Sequence, residues 1–98
     1  SQLSVSLVVY DSSSAASDAY DTTKVDYYNM GGSDDLDIGN RSCYIRMVYT
    51  DTGTDAYILA AFQKANVVVY FEFLPGYEDL SLSDLKDVAW EQYRKIQN

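Results

Sequence analysis

Few residues in this chain have the type and spacing that chemistry requires. Val48-Tyr49-Thr50-Asp51-Thr52-Gly53-Thr54 sets a carboxylate immediately before a Thr-Gly turn. Two Asp51 carboxylates, one from each of two subunits, could share a proton and activate a water. Asp34-Asp35-Leu36-Asp37-Ile38-Gly39-Asn40 gathers three carboxylates in one stretch. A hard cation needs about six to eight oxygen ligands, and the helix–loop–helix calcium loop wants Gly at its sixth position and Glu at its twelfth. Counted from Asp35, Gly39 falls fifth and Arg46 twelfth, so the pattern fails and the 34–37 stretch reads as a solvated acidic loop. Asn40-Arg41-Ser42 is a formal glycosylation triplet. Cys43 has no neighbouring base: the nearest cations in sequence are Arg41 and Arg46, and Arg46 belongs to the opposite strand face. A thiol in that setting is a small buried hydrophobe rather than a nucleophile.

The chain has no His and one Cys, which excludes His-based triads, His ligands, Cys clusters and an internal disulfide. Seven Lys and Arg against fifteen Asp and Glu give a net charge of −8, so a phosphate lattice or an anionic lipid surface would be repelled. No apolar run approaches the ~18 residues that span a membrane. At 98 residues the chain is one domain, 1–98, able to bury roughly two thirds of its unfolded surface in a single core. Neither a cofactor nor a metal is implied. Twelve of the fifteen acids are Asp, and ten Tyr and eleven Ser stand beside only four Lys. That balance of short acids and hydroxyls suits an exposed or salty setting. The chain opens without Met directly into a strand pattern, as a mature or excised domain does.

The elements that must position these residues follow from periodicity. Leu3, Val5, Leu7 and Val9 alternate with Ser4 and Ser6, which predicts a strand over 2–10 with one buried face. Asp11 to Ser14 is a helix-start signal. Ala15, Ala16, Ala19, Tyr20, Thr23 and Tyr27 then recur at helical spacing, giving a helix over 12–28 that Gly31-Gly32 ends. Residues 30–41 show no clear period. Strands are expected over 42–50, 55–63 and 67–74, the last two joined by Lys64-Ala65-Asn66 with Asn66 as the residue suited to positive φ. Pro75-Gly76 stops the sheet. Ser81 with Asp84 and the Leu80–Leu85 pair starts a final helix, whose stripe is Leu85, Val88, Ala89, Tyr93 and Ile96. Trp90 sits beside that stripe, half-buried against the sheet.

The expected fold is α+β, β-α-β-β-β-α: a four-stranded, mostly antiparallel sheet with two helices on one face. Val67-Val68-Val69-Tyr70-Phe71-Glu72-Phe73-Leu74 is apolar in both registers, whereas a sheet with one wet face alternates more cleanly. That leaves two readings: central strands with partly covered edges, or a second face that meets a partner, a sister domain, a copy of itself or an apolar ligand. On the second reading Tyr57, Leu59, Tyr70 and Glu72 are the candidate binding residues, on the face opposite the helices, together with the 30–41 loop. The tyrosines suit recognition, having an apolar ring and a polar tip.

Two resemblances bear on function. The segment around Asp51 is similar to the hydrophobic–Asp-Thr-Gly–Thr signature of aspartic proteases, whose dimeric type has chains of about this length. That family has its Asp early, then a glycine-rich flap, whereas here Asp51 is mid-chain and no glycine lies between Gly53 and Gly76. The stretches VVYDSSSAASDAYD, DIGNRS and ILAAFQKANVVVYFEF, with an amphipathic terminal helix, resemble prokaryotic secreted or lipid-anchored (lipoprotein-type) extracytoplasmic α+β domains over nearly the whole chain. In those, Gln63 is often basic and an acid often stands at the place of Asn40. The resemblance implies an extracellular or cell-envelope domain, often a repeat in a larger protein, uncharacterised or sensor-like, with no catalytic residue to carry over. The expectation is therefore a non-catalytic binding domain for a protein partner or small ligand. A self-association (dimerisation) module and a dimeric aspartic hydrolase using Asp51 are the alternatives.

Overall fold

The computed structural model describes residues 2–48, 55–74 and 82–96. Six elements follow one another: β1 (Gln2–Val9), α1 (Ser13–Gly31), β2 (Ser42–Val48), β3 (Asp55–Lys64), β4 (Val67–Leu74) and α2 (Leu82–Lys95). The strands form one sheet in the order β1-β4-β3-β2, and every neighbouring pair is antiparallel. The expected α+β order and antiparallel sheet are both present. The strand order also settles the neighbour of β1: it pairs with β4, Val5 opposite Phe71 and Leu7 opposite Val69.

The helices do not share a face. Register puts Ile58, Ala60 and Phe62 of β3 beside Phe73, Phe71 and Val69 of β4. These side chains make one core with Leu85 and Ala89 of α2. The alternate row, Ala61 and Val68 with Cys43 and Ile45 of β2, makes a second core with Ala16, Tyr20 and Tyr27 of α1. The sheet is thus a central layer with one helix on each side. The reason lies in the connections. α1 links β1 to β2, the two edges of the sheet, and crosses one face to do so. α2 follows β4 and packs on the other. The apolar character of β3 and β4 in both registers is the imprint of two covered faces.

Both helices are placed by local chemistry. Ser12 caps α1, its Oγ accepting from the Ala15 N–H at 3.0 Å, a contact worth about 1 kcal/mol. Gly32, at φ 107°, donates its N–H to the Tyr28 carbonyl at 2.9 Å and closes the helix three residues beyond the predicted end. Ala16 and Ala61, both fully buried, let α1 approach the sheet closely, and the Tyr27 hydroxyl donates to the Ala60 carbonyl. α2 carries Asp84 in its first turn and Arg94 and Lys95 in its last, matching the helix dipole. Lys64 Nζ donates to the Tyr93 and Ile96 carbonyls at 3.0 and 2.7 Å, tying the end of α2 to β3. The expected cap Ser81 and its Leu80 staple lie outside the described residues.

The 30–41 stretch is more ordered than its sequence indicates. Asp34 and Tyr44 exchange both backbone hydrogen bonds, at 3.0 and 2.9 Å, so the loop pairs along the outer edge of β2. Leu36 and Ile38 then enter the α2-side core, fully buried.

The β3–β4 hairpin closes on Ala65 and Asn66, and the positive φ falls on Ala65, at 54°, not on Asn66. Asn66 is instead engaged with β1: its Nδ2 donates to the Tyr10 carbonyl at 2.9 Å, and its own carbonyl accepts from the Tyr10 N–H at 2.8 Å. An alanine Cβ in the left-handed region costs about 1 kcal/mol or slightly more. Ala65→Gly is therefore expected to stabilise the domain by roughly 0.5–1 kcal/mol, read as a higher urea midpoint with an unchanged slope.

Candidate functional site

Two surfaces invite a functional reading. The first is a polar cleft of about 270 Å³ between α1 and the loop that leads into β2. Tyr20, Asp21 and Lys24 line it from the helix; Asp35 and Arg41 face them from the loop and Ser42 from the start of β2. Two of its charges are paired with each other and a third is held by neutral donors. The Arg41 guanidinium pairs with the Asp21 carboxylate and lies 4.8 Å from the centre of the Tyr20 ring. Asp35 Oδ1 accepts from the Ser42 hydroxyl at 3.0 Å and from the Asp37 N–H at 2.8 Å. Ser42 Oγ in turn accepts from the Ile38 N–H at 3.0 Å. The cleft is a latch that fastens the loop to α1. Beneath it lies Cys43, fully buried, whose thiol burial pushes up, and Tyr20, whose phenol burial holds well above the usual range. A thiol held protonated is not a nucleophile. Among the described residues no group of three His, Cys, Asp or Glu side chains is placed to hold a metal ion.

The four candidate residues read from the sequence do share one face, as their register requires: Leu59 is opposite Glu72, and Tyr70 lies beside Ala61. That face is not opposite the helices, because α1 crosses it. Leu59 and Tyr70 pack against the core formed with Ala16, Tyr20 and Tyr27. Tyr57 is half-buried and Glu72 exposed. The Tyr70 side chain also hydrogen-bonds that of Tyr10, which raises the Tyr10 phenol. Asp51 and its Asp-Thr-Gly turn lie outside the described residues.

The second surface is one the sequence pattern assigned to the core. Every side chain from Leu3 to Val9 is exposed, so β1 has no buried face. Leu3, Val5, Leu7 and Val9 continue the α2-side row, yet they are 38 to 64% accessible; Val8, on the other face, is 38% accessible. Their partners across the pair, Val67, Val69, Phe71 and Phe73, are all buried. α2 therefore covers the inner strands and leaves β1 bare. Alternation had shown contrast between two rows; it could not show that a covering layer reaches the edge.

The two edges of the sheet are treated differently. At β2 the loop pairs with Tyr44 and supplies Leu36 and Ile38 to the core. At β1, among the described residues, nothing pairs with the outer backbone edge. Natural edge strands are usually blunted by charge, Pro or a bulge. β1, Gln-Leu-Ser-Val-Ser-Leu-Val-Val, has no charge and no Pro, and its register with β4 runs unbroken. Such a strand offers free backbone donors and acceptors beside an apolar row, the arrangement to which another extended segment can add. Among the described residues no helix is long and apolar enough to cross a membrane. Comparison of the chain with protein-family models, with curated proteins and with solved structures gave no match.

Proposed function

We propose that this is a non-catalytic interaction domain, working outside the cell or at the envelope of a prokaryote, and that β1 is its docking element. One observation carries the reading. Five large aliphatic side chains on β1 stand exposed along a pairable backbone edge, while the opposite edge is bridged at Tyr44 by the chain itself. Burying a Leu or Val side chain fully is worth about 1.5–3 kcal/mol, so this row has much stabilisation still to gain from a partner. A strand laid along β1 would satisfy its open backbone groups and cover part of that row. The envelope setting rests on the acidic, Tyr- and Ser-rich composition and on the resemblance to secreted or lipid-anchored domains.

The test separates docking from folding. Leu7→Lys is expected to leave folding stability within about 0.5 kcal/mol, as exposed sites do. A dye-labelled peptide of the β1 sequence, titrated against the protein and followed by anisotropy, should bind the wild type saturably and the variant at least tenfold more weakly. Equal binding to both, or none to either in a chain that is a single copy under the assay conditions, would overturn β1 as the docking element.

A further inference from the structure

We infer that the segment docking on β1 is β1 of a second copy, paired antiparallel about a twofold axis through Ser6, so that two sheets merge into one of eight strands. The inference rests on the docking reading of β1 and adds the identity and register of the occupant.

Three observations select this partner. First, charge. The chain carries −8, so two copies repel in general. Yet the edge strand β1 and its neighbour β4 carry one carboxylate or cation between them, Glu72, which points to the α1 side. The edge is the part of an acidic molecule where a like copy can approach. A partner chosen for electrostatic attraction would meet acid elsewhere on the surface, not here.

Second, pattern. An antiparallel strand pairs with itself in good order only if its two rows map onto themselves. About Ser6, Leu3 falls opposite the partner's Val9, and Val5 opposite the partner's Leu7, each twice by symmetry. The apolar row continues from one sheet to the other, Ser6 meets Ser6 of the partner subunit, and the contact is isologous, closing at two copies. An axis at Val5 also keeps the rows but sets Val9 opposite the partner's Ser1, and an axis at Leu7 sets Leu3 opposite the partner's Asp11; only the Ser6 axis pairs all four aliphatics with one another. Val9 is the most exposed aliphatic of the strand, at 64%. The Ser6 axis covers it.

Third, room. α1 leaves the end of β1 and crosses towards β2, packing on β4, β3 and β2, and α2 lies over the inner strands. Both described helices are therefore seated away from the open edge, where a second backbone would lie.

The experiment uses the 98-residue chain. Light scattering over a concentration series should give about 22 kDa, twice the chain mass of 11.0 kDa, falling to the single mass on dilution. The dimer should tighten several-fold between about 50 mM and 500 mM salt, because salt screens the repulsion of like charges. Leu7→Lys should weaken it at least tenfold. Register is read by cross-linking in a Cys43→Ala background. Opposite positions of an antiparallel pair are within disulfide reach. Ser6→Cys should thus form a covalent dimer on oxidation, at least tenfold faster than Ser4→Cys, which would face the partner's Val8.

A chain that stays at 11 kDa throughout overturns the inference, and the peptide titration then decides separately whether β1 docks any strand. A dimer untouched by Leu7→Lys places the contact elsewhere and overturns it too. A dimer that Leu7→Lys dissolves, but that Ser6→Cys fails to cross-link, overturns the twofold register while leaving β1 as the docking element.

Discussion

Phe62→Ala is expected to cost about 3–5 kcal/mol of folding stability, a large part of the roughly 5–15 kcal/mol that holds a domain of this size. Phe62 is fully buried on the α2 side of β3. Its ring centre lies 5.9 Å from that of Phe71 and 5.5 Å from that of Tyr93. Tyr93 in turn packs edge-on against Trp90, and its carbonyl takes the Lys64 ammonium. Removing the Phe62 ring therefore opens a cavity where β3, β4 and α2 meet. Urea unfolding followed by Trp90 fluorescence should show the midpoint falling with the slope unchanged. Leu7→Ala, a deletion of similar chemistry on β1, should cost less than about 1 kcal/mol because its site is already half in water. The contrast tests the division of the apolar residues into those that hold the fold and those left for contact. A large loss at Leu7, measured at a dilution where the chain is a single copy, would mean that β1 is core after all.

That division also marks where the sequence was legible. Period-two and helical spacing located every described element to within a few residues, because alternation and capping are local. The side of the sheet taken by each helix is not local. Val67 to Leu74 is apolar in both registers, which says that both faces are covered but not by what. The covering of the second face by α1 follows from β1 and β2 being opposite edges, a fact of strand order that no window of sequence contains. For the same reason Tyr57, Leu59, Tyr70 and Glu72 were placed on an open face that in fact lies against α1. Leu36 and Ile38 were missed because two apolar residues among aspartates and glycine are too few to show a period, although their i, i+2 spacing was the available signal. Asn66 is the better left-handed residue by type, but its side chain is committed to Tyr10, and the strain falls on Ala65. The candidate docking strand was visible as a strand; its exposure was not, because alternation is the same whether a row is covered or bare.

Alkaline pH should unfold the domain, and three named groups on one face should drive it. Burial pushes up the Cys43 thiol and holds the Tyr20 and Tyr27 phenols above their ordinary range, with the neighbouring Cys43 adding to both. In the unfolded chain a thiol ionises near about 8.5 and a phenol near about 10. Between those values and the raised folded ones, the native state holds protons that the unfolded state has released. Stability is therefore fully present below about pH 8.5 and is lost as pH rises, by about 1.4 kcal/mol per pH unit for each group whose unfolded value has been passed. Above about pH 10 the two phenols act together, removing about 3 kcal/mol per pH unit, a large part of the stability of a small domain. The measurement is tyrosinate absorbance near 295 nm recorded beside far-ultraviolet circular dichroism. The Tyr20 and Tyr27 fraction should then appear only as the sheet is lost. Cys43→Ala should flatten the stability curve just above about pH 8.5, while a separate loss from the two phenols still begins near about pH 10. Tyr20 and Tyr27 ionising in the folded state would show that α1 does not seal the sheet, and that the face beneath it is open to water.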